Sequence, residues 1–451
     1  MNSKSLFKIP RVFLASAALL ASAGFSSAAT LTWDADGVAP LGGTGTWDTT
    51  AANWFNAGYQ AWDNANNDDA VFNTAAGTVT LGVPITANSL TFNITGYTVA
   101  GGGNALTLGA GGITVTTSGH TAFVNTDIAG TNGLTKLGAG NLTVGTAGTY
   151  TGNTTVSAGT LGLGASNVFN ASGLLDIASG ARFNVYTGSG AGSAGNERRT
   201  QAFTGLTGAG TLAFGQGNTS AERFRINLAT GDTQTFSGAL VTGGFTGNNN
   251  RAVIEVNGAG TQIFSGTNTV GYATLTINAG STVQIGSATA MLAFTMDGGA
   301  ATGKLDLNGF NMGVNFSQAA STEVTNSNLS QVSQLRHIEA NQLRAVSQRI
   351  TGNIQLLANV ASNTMFLGNT NNTYTGGLQL DAGAIRIANN GSLAAGNINF
   401  NGGRLEFGQS NNALFNADVA SDRVYKVQAG TAGEAGAFRS TTTSAGSPSQ
   451  I

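Results

Sequence analysis

The chain contains no cysteine in 451 residues, which excludes disulfide bridges, thiol nucleophiles and thiolate metal sites. Charge is also scarce, because Asp, Glu, Lys and Arg make up only 9% of the residues, against about 25% in typical soluble domains. The 19 basic and 21 acidic side chains give a formal net charge of -2. No strong field of one sign is available to attract phosphate backbones or anionic lipid, so we predict no nucleic-acid partner.

Long apolar runs are missing as well. The longest extends from Val12 to Ala21, about half of the ~20 residues that a membrane-spanning helix needs. Three basic residues precede it, and the small residues Ser27-Ala28-Ala29 follow it. This order of features is typical of a cleavable signal peptide, which we predict over residues 1–29, with no transmembrane segment in the mature chain. The basic residues are Lys4, Lys8 and Arg11.

The low net charge argues against disorder, which combines low hydrophobicity with high net charge. Composition is uniform along the chain, and no hydrophilic linker divides it, so we expect one elongated unit rather than several globular domains. Proline occurs only 4 times and glycine 67 times. Glycine rather than proline is therefore the residue that separates the short segments described next.

Between the glycines lie many short segments in which aliphatic residues alternate with Thr, Asn or Ser, such as Thr78–Leu81 and Leu142–Val144. This period of two is typical of strands with one buried and one hydrated face. Glycine steps such as Ala158-Gly159 and Ser179-Gly180 supply corners between the strands. Frequent corners between very short strands favour a coil wound in one direction. We predict an all-β fold, a right-handed parallel β-helix (β-solenoid), over residues 74–417.

The region before the solenoid is different, because residues 30–73 hold all four tryptophans. A solenoid exposes strand edges and core at its end, so this module is interpreted as an N-terminal cap. A carbohydrate-binding platform of aromatic faces is the alternative. The module also contains six aspartates without the ligand spacing of a calcium loop, and we expect them in hydrated turns. They are Asp34, Asp36, Asp48, Asp63, Asp68 and Asp69.

Two further segments depart from the pattern. No glycine occurs between Gly313 and Gly352, and apolar residues from Leu329 to Val346 recur at near-helical spacing. A polar helix on the solenoid surface and two longer rungs, each rung being one turn of the solenoid, both fit this segment. Residues 418–451 are rich in Gly, Ala, Ser and Thr, and we expect this tail to be poorly ordered.

Residues 133–163 and 369–387 are the best copies of an internal repeat, since Thr149–Gly152 recurs as Thr373–Gly376. The first copy resembles the autotransporter-associated β-strand repeat of secreted bacterial proteins. Asn372 keeps the Asn that commonly precedes Thr-Tyr in that family, whereas Gly148 replaces it in the first copy. The matching residues are Gly133, Leu134, Lys136, Gly138, Gly140, Leu142, Tyr150, Gly152, Thr154, Val156, Gly159 and Leu161.

The resemblance implies a parallel β-helix passenger, secreted or at the surface of a Gram-negative-type cell, in which the repeat is associated with export and folding. A self-secreting member would need roughly 250 further residues that form a membrane barrel of alternating strands. The residues after Ile398 do not show this strand pattern. We therefore expect a soluble secreted form, a passenger held by a separate outer-membrane anchor, or an incomplete chain.

Parallel β-helices also host polysaccharide lyases and hydrolases, which need carboxylates gathered on one face. Five carboxylates look isolated and outward-facing, and His120 and His337, without a partner motif, are expected at the surface or in loops. We predict no catalytic residue, no cofactor and no metal ligand. The predicted function is a non-catalytic secreted or cell-surface passenger-type protein that acts as a structural stalk or is adhesin-like; a polysaccharide-binding or polysaccharide-degrading β-helix (lyase or hydrolase) is the alternative. Cell-surface or extracellular glycans are the expected partners. The five carboxylates are Asp176, Glu255, Asp306, Asp381 and Glu406.

The densest charged clusters, residues 197–199 and 222–225, are interpreted as local ion pairs, with binding of an anionic glycan as the alternative.

Overall fold

The computed structural model describes most of the chain between residues 28 and 440. The predicted signal peptide up to residue 27, residues 197 and 198, and most of the predicted tail lie outside the described residues. The described ranges are 28–37, 41–186, 199–215, 222–242, 252–268, 273–288, 294–296, 303–316, 322–338, 343–387, 392–407, 425–427 and 437–440.

All regular structure in these ranges is β-strand. The first strands are β1 (Thr30–Trp33), β2 (Gly45–Trp47), β3 (Trp54–Phe55), β4 (Tyr59–Gln60), β5 (Asp69–Phe72), β6 (Thr78–Leu81), β7 (Ile85–Phe92), β8 (Thr98–Val115), β9 (Thr121–Ala129), β10 (Leu134–Leu137), β11 (Asn141–Val144), β12 (Thr154–Val156) and β13 (Thr160–Leu163). The next are β14 (Leu175–Ile177), β15 (Arg182–Asn184), β16 (Thr200–Phe203), β17 (Leu206–Gly208), β18 (Thr211–Phe214), β19 (Glu222–Leu228), β20 (Thr233–Phe236), β21 (Ala239–Thr242), β22 (Ala252–Gly258), β23 (Thr261–Phe264), β24 (Ala273–Ile277), β25 (Thr282–Ile285) and β26 (Phe294–Met296). The last are β27 (Lys304–Asp306), β28 (Met312–Phe316), β29 (Glu323–Thr325), β30 (Ser333–His337), β31 (Leu343–Val346), β32 (Thr351–Gly352), β33 (Ile354–Leu367), β34 (Thr373–Tyr374), β35 (Leu378–Ile387), β36 (Ile398–Phe400), β37 (Arg404–Phe407), β38 (Tyr425–Val427) and β39 (Ala437–Ser440).

The strands stack in parallel, rung upon rung, as a β-solenoid of about 13 turns. Lys136 of β10 pairs with Val156 of β12, 20 positions later, and a 23-stranded and a 14-stranded sheet form the walls. Corner glycines adopt the backbone that side chains disfavour, with φ of 64° at Gly159 and 81° at Gly180. The predicted all-β parallel solenoid is confirmed, while its handedness stays a prediction.

Inward-facing residues form continuous apolar rows, because parallel pairing in register places like positions above one another. One such row crosses five strands from β11 to β21, and every member is buried. Burial of each side chain of this size contributes about 1.5–3 kcal/mol. The row consists of Leu142, Leu161, Phe183, Leu212 and Leu240.

The N-terminal module breaks the parallel rule. β3 pairs antiparallel with both β1 and β4, and β3 and β4 form the N-terminal hairpin. The four tryptophans of the module cluster together, and each is only 0–1% exposed. Trp47 and Trp54 rings lie 4.8 Å apart, and Trp62 packs against both of them. Buried rings offer no face for a sugar to stack on, so the platform alternative is wrong for these side chains. The role of residues 30–73 as a cap stays a prediction.

The glycine-free segment forms rungs rather than a helix. β30 and β31 both pair in parallel with β33, and residues 339–342 between them lie outside the described residues. Alternation then directs Leu335 and His337 inward and Arg336 outward. His337 is only 4% exposed, so the expectation of a surface histidine is wrong. The part of the chain that the structure describes contains no helix that could cross a membrane.

Candidate functional site

The corner after β10 is organised by a buried lysine. Lys136 stands in the inward row between Ile113 and Val156 and has no exposed surface. Its Nζ donates to the carbonyl oxygens of Leu137 (2.7 Å), Gly138 (2.8 Å) and, in the next rung, Ala158 (3.1 Å). Burial lowers the pKa of Lys136 to about 8, whereas the three carbonyl oxygens favour the charged ammonium. Lys136 therefore joins two rungs from inside the core.

Two other repeat residues also connect rungs. The hydroxyl of Tyr150 bonds to Thr154 Oγ1 at 2.6 Å and accepts a bond from the backbone N–H of Asn170. In the second copy, Asn372 Oδ1 accepts the N–H of Ile350, and its Nδ2 donates to the carbonyls of Asn369 and Ser392. These contacts give a physical role to the residues that carry the family resemblance, and that role is structural.

The five carboxylates considered for acid–base chemistry are distributed over separate rungs and hold their neighbours. Asp306 accepts bonds from Gln284, Asn308 and Ser327. Glu406 pairs with Arg386 at 2.7 Å. Asp306 and Glu406 are 4% and 2% exposed, so the expectation that all five face outward is wrong for these two. Hydrogen bonds and an ion pair to side chains of adjacent rungs offset the cost of burying these two carboxylates.

The other three carboxylates are half-buried and also bonded. Glu255 of β22 forms ion pairs with Arg223 and Arg225 of the neighbouring strand β19. The interpretation of cluster 222–225 as local ion pairs in a loop is therefore wrong for these two arginines, because they lie in a strand and their partner comes from the next rung. Asp176 accepts the hydroxyl of Thr207 at 2.8 Å. Asp381 accepts amide bonds from neighbouring side chains. The structure brings none of the five together as a pair.

Glu222, at the start of β19, is a buried acid that the sequence patterns did not distinguish. Its Oε2 accepts the N–H of Gly215 at 2.7 Å. Burial raises the pKa of Glu222 to about 7, and the bond from Gly215 and the charge of Arg199 oppose that rise. Arg199 is itself 8% exposed and donates to the carbonyl of Leu163.

The aspartates of the N-terminal module divide into two groups. Asp48 accepts the backbone N–H groups of Ala51 (2.7 Å) and Thr50 (2.8 Å), and these bonds lower its pKa. Asp63 closes a similar turn, as predicted. Asp34 and Asp68, by contrast, are 0% and 2% exposed, so the expectation of hydrated turns is wrong for them. Among the described residues, no group of three or more His, Asp or Glu side chains is arranged to hold a metal ion.

On the outer wall of the solenoid, polar side chains form rows. Asn278 donates to Asn257 at 2.6 Å, and Asn257 donates to Asn227 at 2.9 Å, so amides stack along three rungs. The only large apolar rings exposed in the described part are Phe55 and Tyr59 of the N-terminal hairpin. A wall of repeated hydroxyl and amide groups suits many weak hydrogen bonds to a partner.

One stretch of 120 residues, 25% of the chain, is 46% identical to a protein named adhesin BmaC autotransporter from Brucella suis biovar 1 (strain 1330). Over this stretch the chain is similar to an autotransporter adhesin. The match spans 4% of that protein's length. No protein-family model matches the chain, and no solved structure matches it. The repeat family therefore stays a resemblance.

Proposed function

We propose that this chain is a secreted or cell-surface passenger-type protein that acts as a stalk or an adhesin. The observation that carries the proposal is the 46% identity to an autotransporter adhesin in a chain that folds as a long parallel solenoid. The signal-peptide pattern of residues 1–29 supports export. Extracellular glycans are the proposed partners, and a separate outer-membrane anchor is the proposed means of retention at the surface.

The mechanism is geometric. Backbone ladders join successive rungs over the described part of the chain, which makes the solenoid stiff. Its outer wall repeats weak binding groups at rung spacing, about 4.8 Å. Several weak contacts to one partner combine into strong attachment by raising the effective concentration. Polysaccharide cleavage is less well supported, because the five carboxylates considered for it are each bonded to neighbouring side chains, most of them in an adjacent rung.

The proposal is tested with purified chain from Thr30 onward, coupled to beads and layered on cultured epithelial cells and on extracellular matrix. We expect retention well above that of albumin-coated beads; equal retention would refute the adhesin role. Antibody against the purified chain should label intact producing cells. Labelling only after permeabilisation would refute the surface location.

A further inference from the structure

We propose that the outer wall carries a binding site for a carboxylate-bearing saccharide unit, in the depression over Gly313. This inference rests on the proposed adhesin function and names its ligand chemistry. The depression has a volume of about 250 Å³. Since liquid water takes roughly 30 Å³ per molecule, the space equals about eight waters, which suits a single sugar unit. Its lining is Ala288, Asn311, Met312, Gly313, Gln334, Arg336 and Leu357.

The depression is lined by residues of three neighbouring strands. Gly313 of β28 pairs with Arg336 of β30, and Arg336 pairs with Leu357 of β33, so the three share one column on the outer wall. A Cβ at Gly313 would lie 3.3 Å from Arg336 Nε and would collide with Ile338. The side chains of Ile338 and Arg336 therefore cover Gly313, and only a residue without a side chain fits beneath the Arg336 side chain.

Arg336 supplies a positive charge that has no carboxylate partner within the described part of the chain. Five other described arginines lie within 4.0 Å of a carboxylate: Arg223, Arg225, Arg349, Arg386 and Arg404. Arg336 is exposed and has no such partner among the described residues. A guanidinium binds a carboxylate through two parallel N–H bonds. One cation matches one carboxylate, whereas a doubly charged phosphate would favour additional basic groups.

Amides and an apolar surface complete the site. Gln334 Nε2 donates to Gln355 Oε1 at 2.9 Å, and Asn311 Oδ1 accepts the N–H of Gln334 at 2.7 Å, which holds both side chains in place. Gln334 Oε1 and Asn311 Nδ2 remain available for sugar hydroxyls, having no bond within the described part of the chain. Leu357, 8% exposed, offers an apolar contact for the C–H face of the ring.

The test measures saturation-transfer NMR and calorimetric titration of the chain from Thr30 with methyl glucuronide, methyl galacturonide and the methyl glycoside of N-acetylneuraminate. Methyl glucoside and sodium acetate are the controls for neutral sugar and bare carboxylate. We expect at least one acidic sugar to bind, and Arg336→Gln to weaken that binding at least tenfold. Arg223→Gln, on the same wall and 39% exposed, leaves Glu255 paired with Arg225 and should not change it.

Three results would overturn the site: no acidic sugar binds, Arg336→Gln binds as well as the parent, or acetate and methyl glucoside bind as tightly as the acidic sugar. Unchanged unfolding of Arg336→Gln in urea shows that the fold is intact. The bead assay separates the two proposals. Retained adhesion without binding of acidic sugars ends this inference alone, whereas loss of adhesion by the parent chain ends the proposed function.

Discussion

Replacing Lys136 by methionine removes the buried ammonium group and keeps an unbranched side chain of similar length. Two opposing effects decide the outcome. Burial lowers the lysine pKa from 10.5 to about 8, and at 1.36 kcal/mol per unit this corresponds to a cost of about 3 kcal/mol. Three hydrogen bonds from a charged donor contribute roughly 1.5–3 kcal/mol each. With a folded-state pKa of about 8 the ammonium is charged at pH 7 and makes all three bonds, and methionine would leave three carbonyl oxygens without this donor, so we expect Lys136→Met to destabilise the fold by about 3 kcal/mol.

The measurement is urea unfolding followed by circular dichroism, together with amide hydrogen exchange of β10 and β12. Exchange is included because a solenoid does not have to unfold as one cooperative unit. Lys304→Met is the matched control, since Lys304 is an exposed residue of β27. We expect it to change stability by less than about 0.5 kcal/mol. Equal losses of stability in the two variants, or no loss in Lys136→Met, would refute the role of Lys136 in binding the three carbonyl oxygens.

The pH dependence gives an independent check. Because the pKa of Lys136 is lower in the folded state, the unfolded chain binds more protons between pH 8 and 10.5. Stability of the parent relative to Lys136→Met should therefore rise with pH across this window. A falling or flat difference would contradict a buried, charged lysine.

Three further predictions use matched substitutions and the same unfolding assay. Burial raises the pKa of Glu222 to about 7, so the unfolded chain loses this proton at lower pH than the folded chain. The free energy of unfolding of the parent should therefore fall by up to about 3 kcal/mol relative to that of Glu222→Gln as pH rises from 4.5 to 7. A constant difference between the two would show that the acid is solvated. Gly159→Ala places a Cβ 2.5 Å from the carbonyl oxygen of Gly138, whereas the Cβ of Gly180→Ala meets nothing within 4 Å. Both substitutions should lose about 1–2 kcal/mol of stability because of the positive φ, and only Gly159→Ala should lose clearly more. Asn372→Ala removes three hydrogen bonds and should lower the free energy of unfolding by about 2–3 kcal/mol. The control Asn371→Ala, at an exposed position, should leave the stability nearly unchanged. Similar losses for the two substitutions would disprove the rung-joining role of Asn372.

Local pattern was sufficient for the fold class. Alternating aliphatic residues in runs of three to five, separated by glycine corners, predicted parallel strands wound as a solenoid, because each strand needs one buried face and each corner a positive φ. The same alternation, followed strictly, also places Lys136 on the face of Leu134 and His337 on the face of Leu335. We expected both histidines at the surface or in loops because neither has a partner motif, and the alternation of β30 instead buries His337.

The long-range contacts were not encoded in any single segment. Asp306 and Glu406 are buried because their partners come from other rungs, about 20 positions away. Likewise, the depression that Arg336 lines depends on which residues the adjacent strands bring alongside it. The sequence by itself determined the alternation of the strands and the glycine corners between them, since these follow from backbone sterics and burial within a few residues, but not the length of β8 and β33, which have 18 and 14 residues. Only the tertiary structure decided which polar groups meet, because that depends on the register between rungs.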